Sequence, residues 1–306
     1  MDPLDTAAAY GIGDEHSAAP PHTDEVALLS VDSTTLQDWL QVAQWAAAEG
    51  WNPGHRDAAC FHPTDPDGFL LGRIGGYPIS SVSVVNYAPN YAFLGFYLVH
   101  PEHRGNGIGL ATWRAGMLHA GDRLVGLDAV PAQRDTYRRS GFIPAYDTTR
   151  YAGVPVRSGA PAAGVVPVGP EHLAAVAAFD RPHFPAERAA FVERWLTADG
   201  HRAHVRLVDG RVTGYGVVRP AQNGWRVGPL FADDRAGAEA LFDALVADVP
   251  PGEQVFVDAP EPHAESAALA TSRGLRVDSV TTRMYTGPAP ATKTAGTWAV
   301  TSLELG

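Results

Sequence analysis

A single cysteine, Cys60, stands in this chain of 306 residues. No internal disulfide can form, and a zinc site built on several cysteines is excluded. The twelve histidines are scattered. The two close pairs, His100 with His103 and His201 with His204, lack an acidic or Cys set at ligand spacing, so no metal is expected. No run of eighteen apolar residues occurs, so no membrane-spanning helix is expected. The N-terminus, "MDPLDTAAAYGIGDEHSAAPPHTDE", has no basic stretch followed by an apolar one. It reads as a loose tail, not a signal peptide, and the default expectation is a cytoplasmic protein.

Positive charge is also in deficit: the formal net charge is -11. An acidic surface argues against nucleic acid or an anionic membrane as partner. It mildly favours cations, amines included, although acidity also serves solubility alone. Hydrophobic content of 45% and charged content of 19% are ordinary for a globular protein. The length suggests two domains.

The first block reads β-α-α-β-β-β-α-β-α-β over residues 25–153. "VALLSVD" (Val26 to Asp32) reads as its first strand. The helix that follows has Ser33 or Thr34 as cap and Leu36, Leu40, Val42 and Ala46 on one face. "VPVRSGAPAAGVVPVGP" is rich in Pro, Gly and Ala and reads as a linker merging into a second block. The second block repeats the first. Gly141 is followed seven residues later by "TTR" ending at Arg150, and Gly274 likewise by "TTR" ending at Arg283. "LDA" ending at Ala129 matches "VDA" ending at Ala259. The expected division is a tail over 1–24, a first domain over 25–153, a linker over 154–164, a second domain over 165–290 and a tail or strand over 291–306.

"VHPEHRGNGIG" (Val99 to Gly109) joins a strand to a helix. Such a turn offers backbone N–H groups and a positive helix end to a phosphate. A P-loop would need a Lys that is absent here. A dinucleotide fingerprint would need a different glycine spacing, after a first strand. The pattern Arg-x-x-Gly-x-Gly remains, met by Arg104, Gly107 and Gly109.

With "YRRSGF" (Tyr137 to Phe142) downstream and this element order, the sequence resembles the GNAT superfamily of N-acyltransferases. The likeness is good over 25–153 and weaker over 165–287. It implies an α/β fold of two tandem GNAT-like domains, each a mixed, mostly antiparallel splayed sheet flanked by helices. It implies acetyl-CoA as co-substrate, with its pyrophosphate on Arg104, Gly105, Asn106, Gly107, Ile108 and Gly109. The pantetheine arm would pair with the strand at Leu98 and Val99, where a backbone N–H polarises the thioester carbonyl. Tyr137 would protonate the leaving thiolate, the alternative being a packing role. The Asn that the family often has seven residues before this Tyr is here Val130.

Aligned on Arg104 and Arg235, the second copy has Ala238 and Ala240 for the glycines, Glu239 between them, and Ala270 for Tyr137. One active site, in the first copy, is expected, with the second as a degenerate partner that shapes the acceptor pocket. Asp57, Asp65, Asp67 and Asp128 are candidate bases, each with a bland alternative as cap, turn or surface residue. Trp51, Asn52 and Tyr97 are candidate acceptor contacts, and Trp51 and Tyr97 are equally candidates for the core. The implied activity is direct acyl transfer, without an acyl-enzyme, to a primary amine of a small molecule or peptide. A non-catalytic acyl-CoA-binding regulatory module, or other acyl-CoA chemistry on the same fold, remains open.

Overall fold

The computed structural model describes residues 23–87, 89–157 and 164–306. Most of the expected N-terminal tail and the middle of the expected linker lie outside them. The first half runs α1 (Thr23–Leu28), β1 (Ser30–Ser33), α2 (Leu36–Ala48), α3 (Asp57–Phe61), β2 (Phe69–Ile74), β3 (Tyr77–Tyr87), β4 (Tyr91–Val99), α4 (Ile108–Ala120), β5 (Leu124–Ala129), α5 (Arg134–Arg139) and β6 (Ile143–Gly153). The second runs β7 (Val165–Pro167), α6 (Leu173–Asp180), α7 (Ala189–Thr197), β8 (Arg202–Val208), β9 (Arg211–Pro220), β10 (Trp225–Ala232), α8 (Arg235–Ala247), β11 (Val255–Pro260), α9 (Ala264–Ser272), β12 (Arg276–Tyr285) and β13 (Thr297–Ala299).

Three local expectations are corrected. Val26–Leu28 is helical and the strand is confined to Ser30–Ser33. Leu28 is 66% exposed, so the apolar run does not face the core on alternate residues. Thr35, not Ser33 or Thr34, caps α2 by accepting from the Asp38 N–H at 3.2 Å. The buried face of α2 is Trp39, Val42 and Ala46, while Leu40 is 51% exposed. Trp39 wins that face because its ring packs edge-on against Phe69 at 4.8 Å and Phe96 at 5.8 Å.

The strands form one sheet in the order β1-β2-β3-β4-β5-β12-β6-β11-β10-β9-β8-β7. Each half is mostly antiparallel, with one parallel pair, β4 with β5 and β10 with β11. The halves exchange strands at the seam. β12 of the second half pairs with β5 of the first, and β6 of the first pairs with β11 of the second. β6 and β12 lie side by side, so the two "TTR" repeats meet with Thr281 opposite Thr148. Neither half closes its own sheet.

Helix α4 packs on β3, where a Cβ on Gly116 would lie 3.0 Å from Val82. Its Trp113 touches Tyr97, Tyr137 and Phe142 with ring centroids 5.5–5.8 Å apart. Each such aromatic pair is worth about 0.5–1.5 kcal/mol beyond burial. Together they fix α5, and with it Tyr137, against the sheet.

Candidate active site

The glycine loop turns on two left-handed residues, Gly105 at φ 81° and Gly107 at φ 77°. Side chains other than glycine adopt that region at a cost of about 1–2 kcal/mol. Gly107 is the N-cap of α4, and no side chain caps the helix there. The Arg104 side chain turns back: its Nε donates to the Val99 carbonyl at 2.9 Å and Nη2 to Glu49 at 2.7 Å. Asn106 donates to Glu25 at 3.1 Å. These bonds hold the loop open over the start of α4, a fit for an anion.

Beyond the loop the sheet divides. β4 and β5 pair only from Tyr91 opposite Leu124 to Phe93 opposite Gly126. From Leu94 and Leu127 onward the two strands diverge. A register shift against β3 accompanies the divergence, and Phe96 takes φ 45° with its carbonyl accepting from Ser81 at 2.8 Å. The His100 N–H donates to Ile79 on the β3 side at 2.7 Å. Backbone groups alternate along a strand, so the N–H of Leu98 faces β3 and that of Val99 faces away from it.

The cleft opens into a cavity of about 410 Å³. Gly95, Phe96 and Tyr97 of β4 line one wall, Leu127, Asp128, Val130 and Pro131 another, and Trp51 with Val280 a third. Tyr137 lines it too, 5% exposed, and burial holds its hydroxyl well above the usual phenol range. The Trp51 carbonyl is fixed by Arg150 Nη1 at 2.8 Å. Asp128 is buried and bound by Arg283 at 2.9 and 2.7 Å. Burial raises its pKa above the usual carboxylate value; Arg283 opposes the rise, and the nearby Asp258 and Glu304 add to it.

The other expected acceptor residues lie elsewhere. Asn52 is outside the cavity lining, and its amide is used by the Asn223 backbone, donating at 3.0 Å and accepting at 2.7 Å. Asp57 is buried in an ion pair with Arg219 at 2.7 and 3.0 Å and is not a surface group. Burial opposes its ionisation, but Arg219 outweighs burial and holds the carboxyl below its ordinary value. Asp65 is held by His119 and the Asn86 N–H, both at 2.8 Å, and Asp67 is exposed. Of the four candidate carboxylates, Asp128 alone lines the cavity. Cys60 is 4% exposed, with its thiol pushed up to about 11 by burial.

Sequence reasoning missed Arg150, Leu303 and Glu304, all of which line the cavity. Glu304 is buried against Arg226, with both carboxylate oxygens at 3.0 Å. The repeated "TTR" was a signal for Arg150. Nothing local marked Leu303 or Glu304.

The second copy differs by more than lost glycines. Helix α8 begins at Arg235, so the counterpart of Gly107 is Asp234, four residues before the Ala238 that pairing Arg104 with Arg235 gives. Asp234 caps the helix by accepting from the Gly237 N–H at 2.6 Å. Arg235 sits inside the helix and pairs with Glu239 at 2.8 Å. A carboxylate therefore occupies the anion position. The second cleft is filled as well. β10 and β11 pair only to Val227 opposite Val257, and β13 enters beyond, with Leu230 opposite Ala299. The Val300 N–H then donates to the Asp258 carbonyl on β11 at 3.0 Å. The cavity left there, against His183, Arg283 and Thr301, is about 30 Å³.

Among the described residues, no helix is long and apolar enough to cross a membrane. Among the same residues, no group of three His, Cys, Asp or Glu could hold a metal ion.

Residues 34–142 match the acetyltransferase (GNAT) family, and residues 176–298 match an acetyltransferase (GNAT) domain. The chain is 35% identical over 272 residues to holothin acyltransferase of Pseudoalteromonas sp. (strain SANK 73390), covering 89% of this chain and 92% of that one. In fold it is similar to a provisionally assigned acetyltransferase of Pyrococcus horikoshii, with TM-score 0.77, 20% identity and coverage of 96% and 100%. A tandem GNAT protein from the clavulanic acid biosynthesis pathway matches with TM-score 0.57, 18% identity and coverage of 85% and 99%. The chain belongs to the GNAT superfamily. It is a tandem GNAT-fold acyltransferase that uses an acyl-CoA donor.

Proposed function

We propose that the chain transfers an acetyl or other short acyl group from coenzyme A to a primary amine of a small molecule. The carrying observation is the 410 Å³ cavity at the splay, where Tyr137 and the diverging edge of β4 meet a partly open pocket lined by apolar and charged side chains. A concave pocket of this size suits a small acceptor better than a folded protein.

In this reading the first turn of α4 and Gly107 hold the pyrophosphate. The Val99 N–H donates to the thioester carbonyl and stabilises the oxygen as it gains charge. The amine nitrogen bonds to the carbonyl carbon, the C–S bond breaks, and Tyr137 gives its proton to the departing sulfur. Asp128 takes the proton that the amine loses, its raised pKa bringing it nearer to that task. Cys60, buried and protonated outside the cavity, supports direct attack without an acyl-enzyme.

The relative named for acylating holothin makes holothin the first acceptor to test. The experiment is thiol release from acetyl-CoA with holothin and a panel of primary amines, with the product mass recorded. A product heavier by one acyl group supports the reading. Acetyl-CoA binding without release on any amine points instead to a binding module, and an acylated hydroxyl points to other chemistry on the fold.

A further inference from the structure

The segment that fills the second cleft does not stop there. After β13 it crosses the seam into the first half, fixed at nearly every step. The Thr301 hydroxyl accepts from Arg188 at 3.2 Å, and its carbonyl from Arg219 at 3.1 Å. The Ser302 hydroxyl donates to Glu304 at 2.8 Å, and Glu304 is locked to Arg226. The Leu305 carbonyl accepts from Tyr87 at 3.2 Å. On β4, Gly95 lies directly beneath this segment, and a Cβ there would overlap the Glu304 carbonyl.

From Gly296 to Gly306 every residue is buried except Leu303, which is half-buried and lines the first cavity. Its neighbours serve as anchors, and Leu303 is the side chain they present. The same wall carries Trp51, beside the Phe96 ring at 6.2 Å. The second half has lost its own cleft, yet that filled cleft seats a strand aimed at the working one.

We propose that Leu303 is a specificity-determining residue of the first cavity, setting the size of acceptor that the enzyme takes. The second half thus supplies a piece of the acceptor pocket through its C-terminal segment. The proposal rests on the amine-acylation reading above. An apolar wall of this kind discriminates by fit: one methylene gained or lost in such a pocket changes selectivity by about 10- to 200-fold. Because Leu303 is only half-buried and anchors nothing, its replacement leaves the segment in place.

The test compares wild type, Leu303→Ala and Leu303→Phe with acetyl-CoA and amines of rising size, from 2-aminoethanol through benzylamine to tryptamine, with holothin included. The expected result is a shift of at least about tenfold in the kcat/KM ratio of bulky to small acceptors, upward for Ala and downward for Phe. The acetyl-CoA KM stays within about twofold in both variants, because Arg104 to Gly109 of the glycine loop lie outside this cavity's lining. If wild type turns over but the size ratio is unchanged in both variants, Leu303 has no such role. It has none either if the acetyl-CoA KM moves instead of the ratio. If wild type acylates no amine at all, the acceptor reading itself fails, and the role of Leu303 with it.

Discussion

Arg150 and Asp258 face each other across antiparallel strands from opposite halves, joined by two hydrogen bonds of 2.6 and 3.0 Å. Arg283 and Asp128 repeat the arrangement with the halves reversed, at 2.9 and 2.7 Å. Each half thus carries one Asp at the end of its fifth strand and one Arg on its sixth, and each pair is completed only across the seam. The pairing follows from the strand exchange and ties the first cavity to the second half.

Removing one partner of a buried pair strands the other charge, at a cost of about 3–5 kcal/mol. Arg283→Met is therefore expected to lower stability by about that amount in urea unfolding. The double variant Arg283→Met/Asp128→Leu is expected to recover most of the loss. A single-variant loss under about 1 kcal/mol would count against the seam as a structural tie.

Tyr137→Phe keeps the ring that packs on Trp113 and removes only the hydroxyl. A general acid contributes about 10²–10⁴ in rate, so kcat is expected to fall at least about a hundredfold. The acetyl-CoA KM is expected to hold. Unchanged turnover would remove Tyr137 from the chemistry and leave it a packing residue.

Gly107→Ala combines a left-handed backbone at φ 77° with a Cβ at the start of α4. Strain of about 1–2 kcal/mol and crowding of the anion position act together. The acetyl-CoA KM is expected to rise at least about tenfold in steady-state kinetics, with Tm lowered only slightly. An unaltered KM would move the phosphate site away from this loop.

His183 and His201 are each lowered from 6.5 to about 4, in both cases chiefly by burial. The unfolded chain takes up these protons as pH falls below 6.5, while the folded chain does not. Their stabilisation is full above pH 6.5 and drains away between 6.5 and about 4, by about 3 kcal/mol for each. Unfolding free energy measured across that window should slope downward toward acid, and His201→Gln should flatten the slope. An identical slope in the variant would contradict the assignment.

The glycine loop was legible because its chemistry is local: strand, turn, helix and spacing all sit within one stretch. The repeat was legible because "TTR" and the Asp-Ala pairs recur. The exchange of β6 and β12 was not, because strand partners so far apart in sequence leave no periodic trace. Asn52 reads as an acceptor contact and Asp57 as a base for the same reason: Asn223 and Arg219, which occupy them, lie in the other half. In the second half Arg235 mimics the loop arginine by sequence, whereas Asp234 with Gly237 three residues on carries the capping signal. Leu303 belongs to a segment whose role depends on a cleft that the sequence does not display.

With Asp234 at the anion position and β13 in the second cleft, a single acyl-CoA site is expected, in the first half. Isothermal titration of the full chain with acetyl-CoA checks this. One acetyl-CoA bound per chain is expected. Two bound per chain would contradict it.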